Sequence, residues 1–181
     1  MTDDPLEWET LASETAYTCP GFDVTHEDVR LPDGTETDFD FLSEPPAVVI
    51  LPFTPEGDVV LIEEWRQAVK RVNRGIPAGT MEPADDDPAM AAHRELEEET
   101  GHEAARVEHL TTVEPANGIA NAVHHYFVAY DCHPASEQKL DFNESIRVVT
   151  ESYDDLLAAV GAGEIRDGRA VLGTLYYEQF A

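Results

Sequence analysis

Three glutamates with helical spacing are the residues of this chain that are best suited to chemistry. Glu95, Glu98 and Glu99 lie in the run from Arg94 to Gly101. Their i, i+3 and i+4 relation brings three carboxylates to one face of a helix. Like charges in a last helical turn repel each other and the negative end of the helix dipole, so a cation is expected beside them. Magnesium or manganese fits, because both prefer carboxylate oxygens and bind phosphates; the alternative is a solvated acidic face.

The helix that carries these glutamates has clear start and stop signals. Asp87 before Pro88 predicts an N-cap followed by a first helical turn. Gly101 predicts a left-handed C-cap. Residues 89–100 contain no helix breaker, which predicts about three and a half turns. Leu96 is expected to point away from the acidic face, into the core.

A basic cluster lies just ahead of this helix. Arg66, Lys70, Arg71 and Arg74 are four of the 11 Lys and Arg residues in the chain. They precede the segment 77–79, so they are expected to approach the metal site, where arginine forks suit phosphate oxygens. We expect the arginines to contact an anionic substrate. Internal pairing with the many acids is the alternative.

The composition is strongly acidic and excludes several classes of partner. Among 181 residues, 38 Asp and Glu against 11 Lys and Arg give a net charge of −27. That charge argues against a nucleic acid or an anionic membrane as partner. The scarcity of lysine makes the composition similar to that of halophilic archaeal proteins. With two cysteines, no signal peptide and no long apolar run, we expect a cytoplasmic protein.

The order of strands and helices predicts an α/β (α+β) fold. Strands are expected over 16–42, 47–53, 59–65, 124–131 and 146–150. Two helices, from Ser152 to Gly161 and from Arg169 to Phe180, are expected to close the chain. Trp65 is assigned to the core rather than to a platform for a substrate base.

Around the carboxylates the sequence resembles the Nudix hydrolases, whose box reads G-x5-E-x7-R-E-U-x-E-E-x-G-U, with U a bulky aliphatic residue. The matching residues are Gly79, Arg94, Glu95, Leu96, Glu98, Glu99 and Gly101. The segment before the helix is one residue longer than the pattern, so the first acid is best matched by Asp86, with Asp85 as the alternative. The last position is His102 instead of an aliphatic residue. The resemblance implies a Nudix-type α/β/α sandwich with a mixed central sheet.

The resemblance also implies roles for the matched residues. Glu98 and Glu99 are the expected main metal ligands, and Glu95 is expected to share ligand and structural roles. The carbonyl of Ala78 is the expected backbone ligand, and the implied cofactor is Mg²⁺ (or Mn²⁺). Arg94 is expected to orient the carboxylates; a plain ion pair on the helix surface is the alternative.

Neighbouring segments resemble the ADP-ribose pyrophosphatase branch of the Nudix hydrolases. Residues 64–69 and 76–79 carry this likeness, together with the strand region around 31–34. In that branch the early strands form a small dimerisation domain, and the arginine matching Arg66 contacts substrate. Gly79, at the start of the box, is expected to contact substrate as well.

The chain departs from this branch in two places that concern the substrate. Gly75 stands where the branch usually has an acid. Pro115 lies a little closer to the box than the marker proline of the branch does. Both departures bear on the contacts made to the adenine and the terminal ribose.

Hydrolysis of a diphosphate needs an activated water and usually a carboxylate base. In the ADP-ribose branch the base lies on a loop before the last strand, and residues 143–146 resemble that loop. Glu144 is therefore the expected base, with Asp141 and Glu137 as alternatives.

These observations predict a two-part chain with one activity. Residues 1–44 are expected to form an N-terminal β-rich dimerisation region, and 45–181 a Nudix hydrolase domain. The expected activity is metal-dependent hydrolysis of a nucleoside diphosphate linked to another moiety, foremost ADP-ribose to AMP and ribose 5-phosphate. Alternatives are another nucleotide sugar, a dinucleoside polyphosphate or a nucleoside triphosphate as substrate, or a catalytically silent nucleotide-sensing module. We expect a homodimer, with no nucleic-acid or membrane partner.

Overall fold

The computed structural model describes residues 4–181 and divides them into twelve strands and three helices. The strands are β1 (Glu9–Cys19), β2 (Phe22–Arg30), β3 (Glu36–Ser43), β4 (Ala47–Pro52), β5 (Asp58–Arg66), β6 (Arg71–Gly75), β7 (Ala78–Thr80), β8 (His102–Glu103), β9 (Arg106–Val113), β10 (His124–Tyr130), β11 (His133–Pro134) and β12 (Ile146–Ser152). The helices are α1 (Pro88–Thr100), α2 (Tyr153–Gly161) and α3 (Gly168–Phe180). None of these helices is long and apolar enough to span a membrane.

The chain forms two compact units. Unit 1 contains the residues up to Pro45 and a second segment, Glu114–Val123. Unit 2 contains Pro46–Val113 and His124–Ala181. The sequence has no signal for the second segment of unit 1, which is a connection between β9 and β10. The dimerisation role of the N-terminal region stays a prediction.

Unit 1 is built on an antiparallel sheet in the order β1-β2-β3. In the turn before β3, the carboxylate of Asp33 accepts the Thr35 N–H at 2.9 Å, and Gly34 has a φ of +86°, which favours glycine. Strand β1 begins at Glu9, well before the predicted start at residue 16. Nearly all of its residues are exposed, so the strand has no buried face whose apolar residues would predict it from the sequence.

Unit 2 contains the predicted mixed sheet, in the order β7-β4-β10-β9. Strands β4 and β10 are parallel, and the other two pairings are antiparallel. A second, antiparallel sheet has the order β12-β5-β6, and β8 pairs with β11. The α+β fold with a mixed central sheet is thus confirmed.

Strand β4 separates two hydrophobic clusters, because its side chains alternate between the two faces of the sheet. Val48 and Ile50 pack with Leu96 of α1. Val49 and Leu51 pack on the other side, with residues of β5, α2 and α3. Each such side chain contributes about 1.5–3 kcal/mol when fully buried. Burial of Leu96 therefore fixes the rotation of α1 and the direction in which its glutamates point.

The predicted ends of α1 are confirmed. Asp87 caps the helix by accepting the Met90 N–H at 2.9 Å, with Pro88 in the first turn. Gly101 ends it with a φ of +71°. A Cβ at Gly101 would lie 2.3 Å from the carbonyl oxygen of Ser136, so glycine is needed for close packing as well as for the turn.

The two later helices also follow their predicted signals. The hydroxyl of Ser152 accepts the Asp155 N–H at 3.1 Å and caps α2. Helix α3 starts one residue earlier than predicted, because Asp167 is its N-cap and accepts N–H groups of the first turn.

Candidate active site

The candidate site begins where the last turns of α1 meet β7. The Glu99 carboxylate accepts the Ala78 N–H at 2.9 Å. A Cβ built on Gly79 would come within 2.0 Å of the carboxyl carbon of Glu95. Glu95 and Glu99 are 9% and 3% exposed, whereas the Glu98 side chain on the outer side is 37% exposed. Ala78, Gly79, Glu95 and Glu99 therefore meet in one place, and Gly79 supplies the room for the Glu95 carboxylate.

Arg94 connects the carboxylates of the helix to the loop before it. Its guanidinium donates to Glu95 and Glu98 at 2.8 Å each, to Asp85 at 2.9 Å and to the Thr80 carbonyl at 3.0 Å. The side chain is only 22% exposed. With four partners, Arg94 is more than a surface ion pair and holds two of the predicted metal ligands in place.

The loop acid bound by Arg94 is Asp85, and the preference for Asp86 is wrong. Asp85 also accepts the Glu82 N–H at 2.8 Å, within a tight turn that folds it back towards the helix. The Arg94 hydrogen bond lowers the pKa of Asp85. Asp86 is exposed. The extra residue of the loop therefore lies between Asp85 and Arg94 rather than between Gly79 and Asp85. The spacing in the sequence does not distinguish these two placements.

Burial controls the protonation of the two inner glutamates. It raises the pKa of Glu95 to about 7, against the opposing charge of Arg94. It raises the pKa of Glu99 to about 8, against the hydrogen bond from Ala78. Neighbouring buried carboxylates with oxygen-only donors fit a hard divalent ion such as Mg²⁺ or Mn²⁺.

Each of the three carboxylates of α1 accepts a hydrogen bond from a protein group in this structure. Glu95 and Glu98 accept hydrogen bonds from Arg94, and Glu99 accepts one from the Ala78 N–H. Within residues 4–181, three ligand atoms lie within 4.8 Å of one another at His26, Asp38 and Asp40 of unit 1. Those two aspartates are exposed, and His26 forms a hydrogen bond with Asp40 at 2.7 Å.

The loop that carries Glu144 is attached to the end of α1. Gln138 donates to the Glu99 carbonyl at 2.6 Å, and the Lys139 N–H donates to the Glu98 carbonyl at 2.9 Å. These bonds satisfy carbonyls that a helix end leaves without partners. The charge of Glu144 contributes to the raised pKa of both Glu95 and Glu99. Its side chain is half-buried, and its carboxylate accepts the Asp141 N–H at 2.9 Å.

The basic cluster is split between the two faces of the second sheet. Arg66 and Arg71 are cross-strand partners and share a face with Glu64. Arg66 forms an ion pair with Glu64 at 2.7 Å, and Arg71 donates to Asn73 at 2.8 Å. Arg74 lies on the opposite face.

Arg74 is paired within the protein. It binds Glu151 on β12, and its buried Nε has no hydrogen-bond partner within residues 4–181. The structure therefore does not bring Arg74 to the carboxylates of α1, and internal pairing describes it better than substrate contact.

The sequence prediction gave no role to Glu64. Glu64 is buried, and its charge interacts with those of Glu99 and Arg169. The sequence has no local signal for Glu64, because residues 59–62 are buried on both faces of β5. The core assignment of Trp65 is wrong, since this side chain is 47% exposed.

A Gly79→Ala variant should displace the Glu95 carboxylate and so weaken metal binding more than it weakens the fold. The added methyl group overlaps the end of a flexible side chain, which can turn away. We expect the free energy of unfolding to fall by about 1–3 kcal/mol. The Mg²⁺ concentration for half-maximal activity should rise about tenfold or more. Gly161→Ala, where a Cβ meets nothing within 4 Å, is the matched control. Equal Mg²⁺ requirements in the two variants would contradict this role for Gly79.

Stabilisation by Mg²⁺ should increase with pH. The carboxyls of Glu95 and Glu99 have a raised pKa in the folded state, against an ordinary value of 4.5. At these two positions the metal-free folded protein binds more protons than the unfolded chain, so the stability that the two carboxyls contribute is lost between about pH 4.5 and about pH 8. Mg²⁺ competes with these protons, so its effect on the melting temperature should be larger at about pH 9 than at about pH 6. The same Mg²⁺ shift at both pH values would exclude these carboxyls as the binding groups.

Comparison with known proteins agrees with this geometry. Residues 43–170 match the model of the NUDIX domain. The ADP-ribose pyrophosphatase of Bacillus subtilis (strain 168) is 31% identical over 174 residues, which cover 96% of this chain and 94% of that protein. The GDP-mannose pyrophosphatase of Yersinia pestis (strain Pestoides F) is 32% identical over 144 residues, covering 74% and 70% of the two chains.

A solved structure described as an ADP compounds hydrolase shares the fold. Its TM-score is 0.84, its sequence identity is 22%, and the match covers 97% of this chain and 95% of that one. The family match extends over most of the chain and includes the helix with the three glutamates. The chain therefore belongs to the Nudix family and is a Nudix pyrophosphohydrolase.

Proposed function

We propose that this protein hydrolyses ADP-ribose to AMP and ribose 5-phosphate with Mg²⁺ or Mn²⁺ bound. The observation that carries the proposal is the meeting of Glu95 and Glu99 with Ala78 at one buried place. The charge of Glu144 acts on both of these glutamates. The similarity to the ADP-ribose pyrophosphatase of Bacillus subtilis supports this choice of substrate, because it extends over almost the whole of both chains.

Glu95, Glu98, Glu99 and the carbonyl of Ala78 are the groups that would hold the ion. When bound, the ion polarises the phosphate oxygens and lowers the pKa of a water molecule. The protein supplies the orientation of these groups, since Arg94 binds Glu95 and Glu98 and is itself held by the loop.

The remaining residues act on the substrate and on the attacking water. Arg66 and Arg71 share a face of the second sheet, where their guanidinium groups can bind phosphate oxygens. Glu144 accepts a proton from the water as the water oxygen forms a bond to phosphorus. The bond between that phosphorus and the bridging oxygen breaks, and the two phosphate products leave.

A second candidate substrate is another nucleotide sugar. The GDP-mannose pyrophosphatase of Yersinia pestis is as similar in identity, although over a shorter length. Gly75, in place of an acid, is a further reason to test it. The homodimer, the cytoplasmic location and the adaptation to high salt stay predictions.

A substrate panel tests the proposal. ADP-ribose, GDP-mannose, a dinucleoside polyphosphate and a nucleoside triphosphate are incubated in high salt with MgCl₂ or MnCl₂, and the products are separated by chromatography. We expect AMP and ribose 5-phosphate from ADP-ribose, and none after addition of EDTA. Faster turnover of another diphosphate would identify that compound, rather than ADP-ribose, as the preferred substrate. Nucleotide binding without turnover of any compound would favour the sensing module.

A further inference from the structure

Glu64 is a buried carboxylate outside the Nudix box. It lies on β5 and is 7% exposed. Its face of the second sheet also carries Arg66, Arg71 and Gly75, as the strand pairing shows. Burial raises the pKa of Glu64, and the charges of Arg66 and Arg169 oppose that shift. A carboxylate this deeply buried requires cationic partners, and these two arginines provide them.

One of these partners still reaches solvent. Arg66 is 2.7 Å from the Glu64 carboxylate, yet its side chain is 35% exposed. A guanidinium has five N–H donors, so one edge can bind a buried carboxylate while other donors remain for a ligand. Arg66 is therefore anchored at its inner side and available at its outer side.

Arg169, the other partner, is held in place by Asp167. Arg169 donates to Asp167 at 2.9 and 3.2 Å, and Asp167 also caps α3 by accepting the Arg169 N–H at 2.9 Å. A Cβ on Gly75 would lie 3.5 Å from the Cβ of Asp167, so the start of α3 lies against the end of β6. Gly75 pairs with Ile62, two residues from Glu64 along β5. Arg169 is thus ion-paired with Asp167, and it acts on Glu64 through its charge.

We propose that Glu64 is a positioning residue that fixes the guanidinium of Arg66 for binding the anionic groups of the substrate. This inference rests on the proposed function, because it takes Arg66 as a substrate contact. Without the anchor, the long side chain of Arg66 samples several rotamers, and part of the binding free energy is lost in ordering it. The effect should appear in binding and not in the chemical step.

A Glu64→Gln variant tests the inference, since glutamine keeps the shape and removes the charge. We expect KM for ADP-ribose to rise about tenfold, with kcat changed by less than about threefold. The Kd for ADP-ribose in EDTA, measured by calorimetry, should rise by a similar factor. The matched control is Glu63→Gln. Glu63 is the preceding residue, binds Arg147 at 2.8 Å on the opposite face of the sheet, and should leave KM unchanged.

A double-mutant cycle shows whether Glu64 acts through Arg66. In an Arg66→Ala background, Glu64→Gln should cause no further rise in KM or Kd. Independent, multiplying effects would overturn the inference. So would an unchanged KM in Glu64→Gln, or a change confined to the Mg²⁺ requirement, which would place Glu64 at the metal. If the wild type does not hydrolyse ADP-ribose, the proposed substrate fails separately, and the same cycle is run on the diphosphate that the panel selects.

Discussion

A Glu98→Gln variant should lose about 10³-fold in kcat and keep nearly its full melting temperature. The amide removes one negative charge from the groups proposed to hold the ion, and such stabilisation is worth several kcal/mol, with tenfold in rate for about 1.36 kcal/mol. The fold should tolerate the change, because the Glu98 side chain is 37% exposed. In the variant, its partner Arg94 would still bind Asp85 and Glu95.

The measurement is steady-state turnover together with thermal unfolding. Glu97→Gln is the matched control, since it makes the same change one position earlier on α1. Glu97 binds Lys139 at 2.8 Å and Ser136 at 3.2 Å, and neither side chain is proposed to hold the ion or to contact substrate. We expect near-wild-type turnover from this control. Glu98→Gln with wild-type turnover would remove Glu98 from the mechanism.

Glu144→Gln is expected to lower kcat by about 10²–10⁴-fold, as loss of a general base does. The amide oxygen of glutamine can still accept the Asp141 N–H, which now lies 2.9 Å from the Glu144 carboxylate. The loop should therefore keep its conformation, and KM and the Mg²⁺ requirement should change little.

The other loop acids provide the comparison for Glu144. Asp141→Asn and Glu137→Gln change side chains that are exposed, and turnover should remain close to that of the wild type. A larger loss in Asp141→Asn than in Glu144→Gln would transfer the role of base to Asp141. Equal, small losses in all three variants would mean that the water needs no carboxylate from this loop.

Local signals predicted the part of the site that lies on one helix. Asp87, Pro88 and Gly101 set the ends of α1 by short-range hydrogen bonds and backbone preferences, and these are readable from a few neighbouring residues. The spacing of Glu95 and Glu99 then gave their common face. Spacing alone could not distinguish Asp85 from Asp86, because the choice depends on a tight turn that returns to Arg94.

The faces on which residues of the second sheet lie could not be predicted from their neighbours in the sequence alone. Arg66 and Arg74 are close in the chain, but the pairing of β5 with β6 puts them on opposite faces. Glu64 and Trp65 were difficult for the same reason: Glu64 is buried on the face of Arg66, while Trp65 is exposed on the other. A one-residue difference in register reverses every such assignment, so the face of a strand is known only with its partners.

Unit 1 is not continuous in the chain, and this has a consequence for its synthesis. Strand β3 donates the Leu42 N–H to the Ile119 carbonyl and accepts the Asn121 N–H at 3.0 Å. On the ribosome, these bonds cannot form until Asn121 has been made, long after the residues of the three strands. During that interval the edge of β3 is open, and an open strand edge is a site of aggregation. Residues 119–121 therefore also cover this edge at Leu42, and they do so late in synthesis.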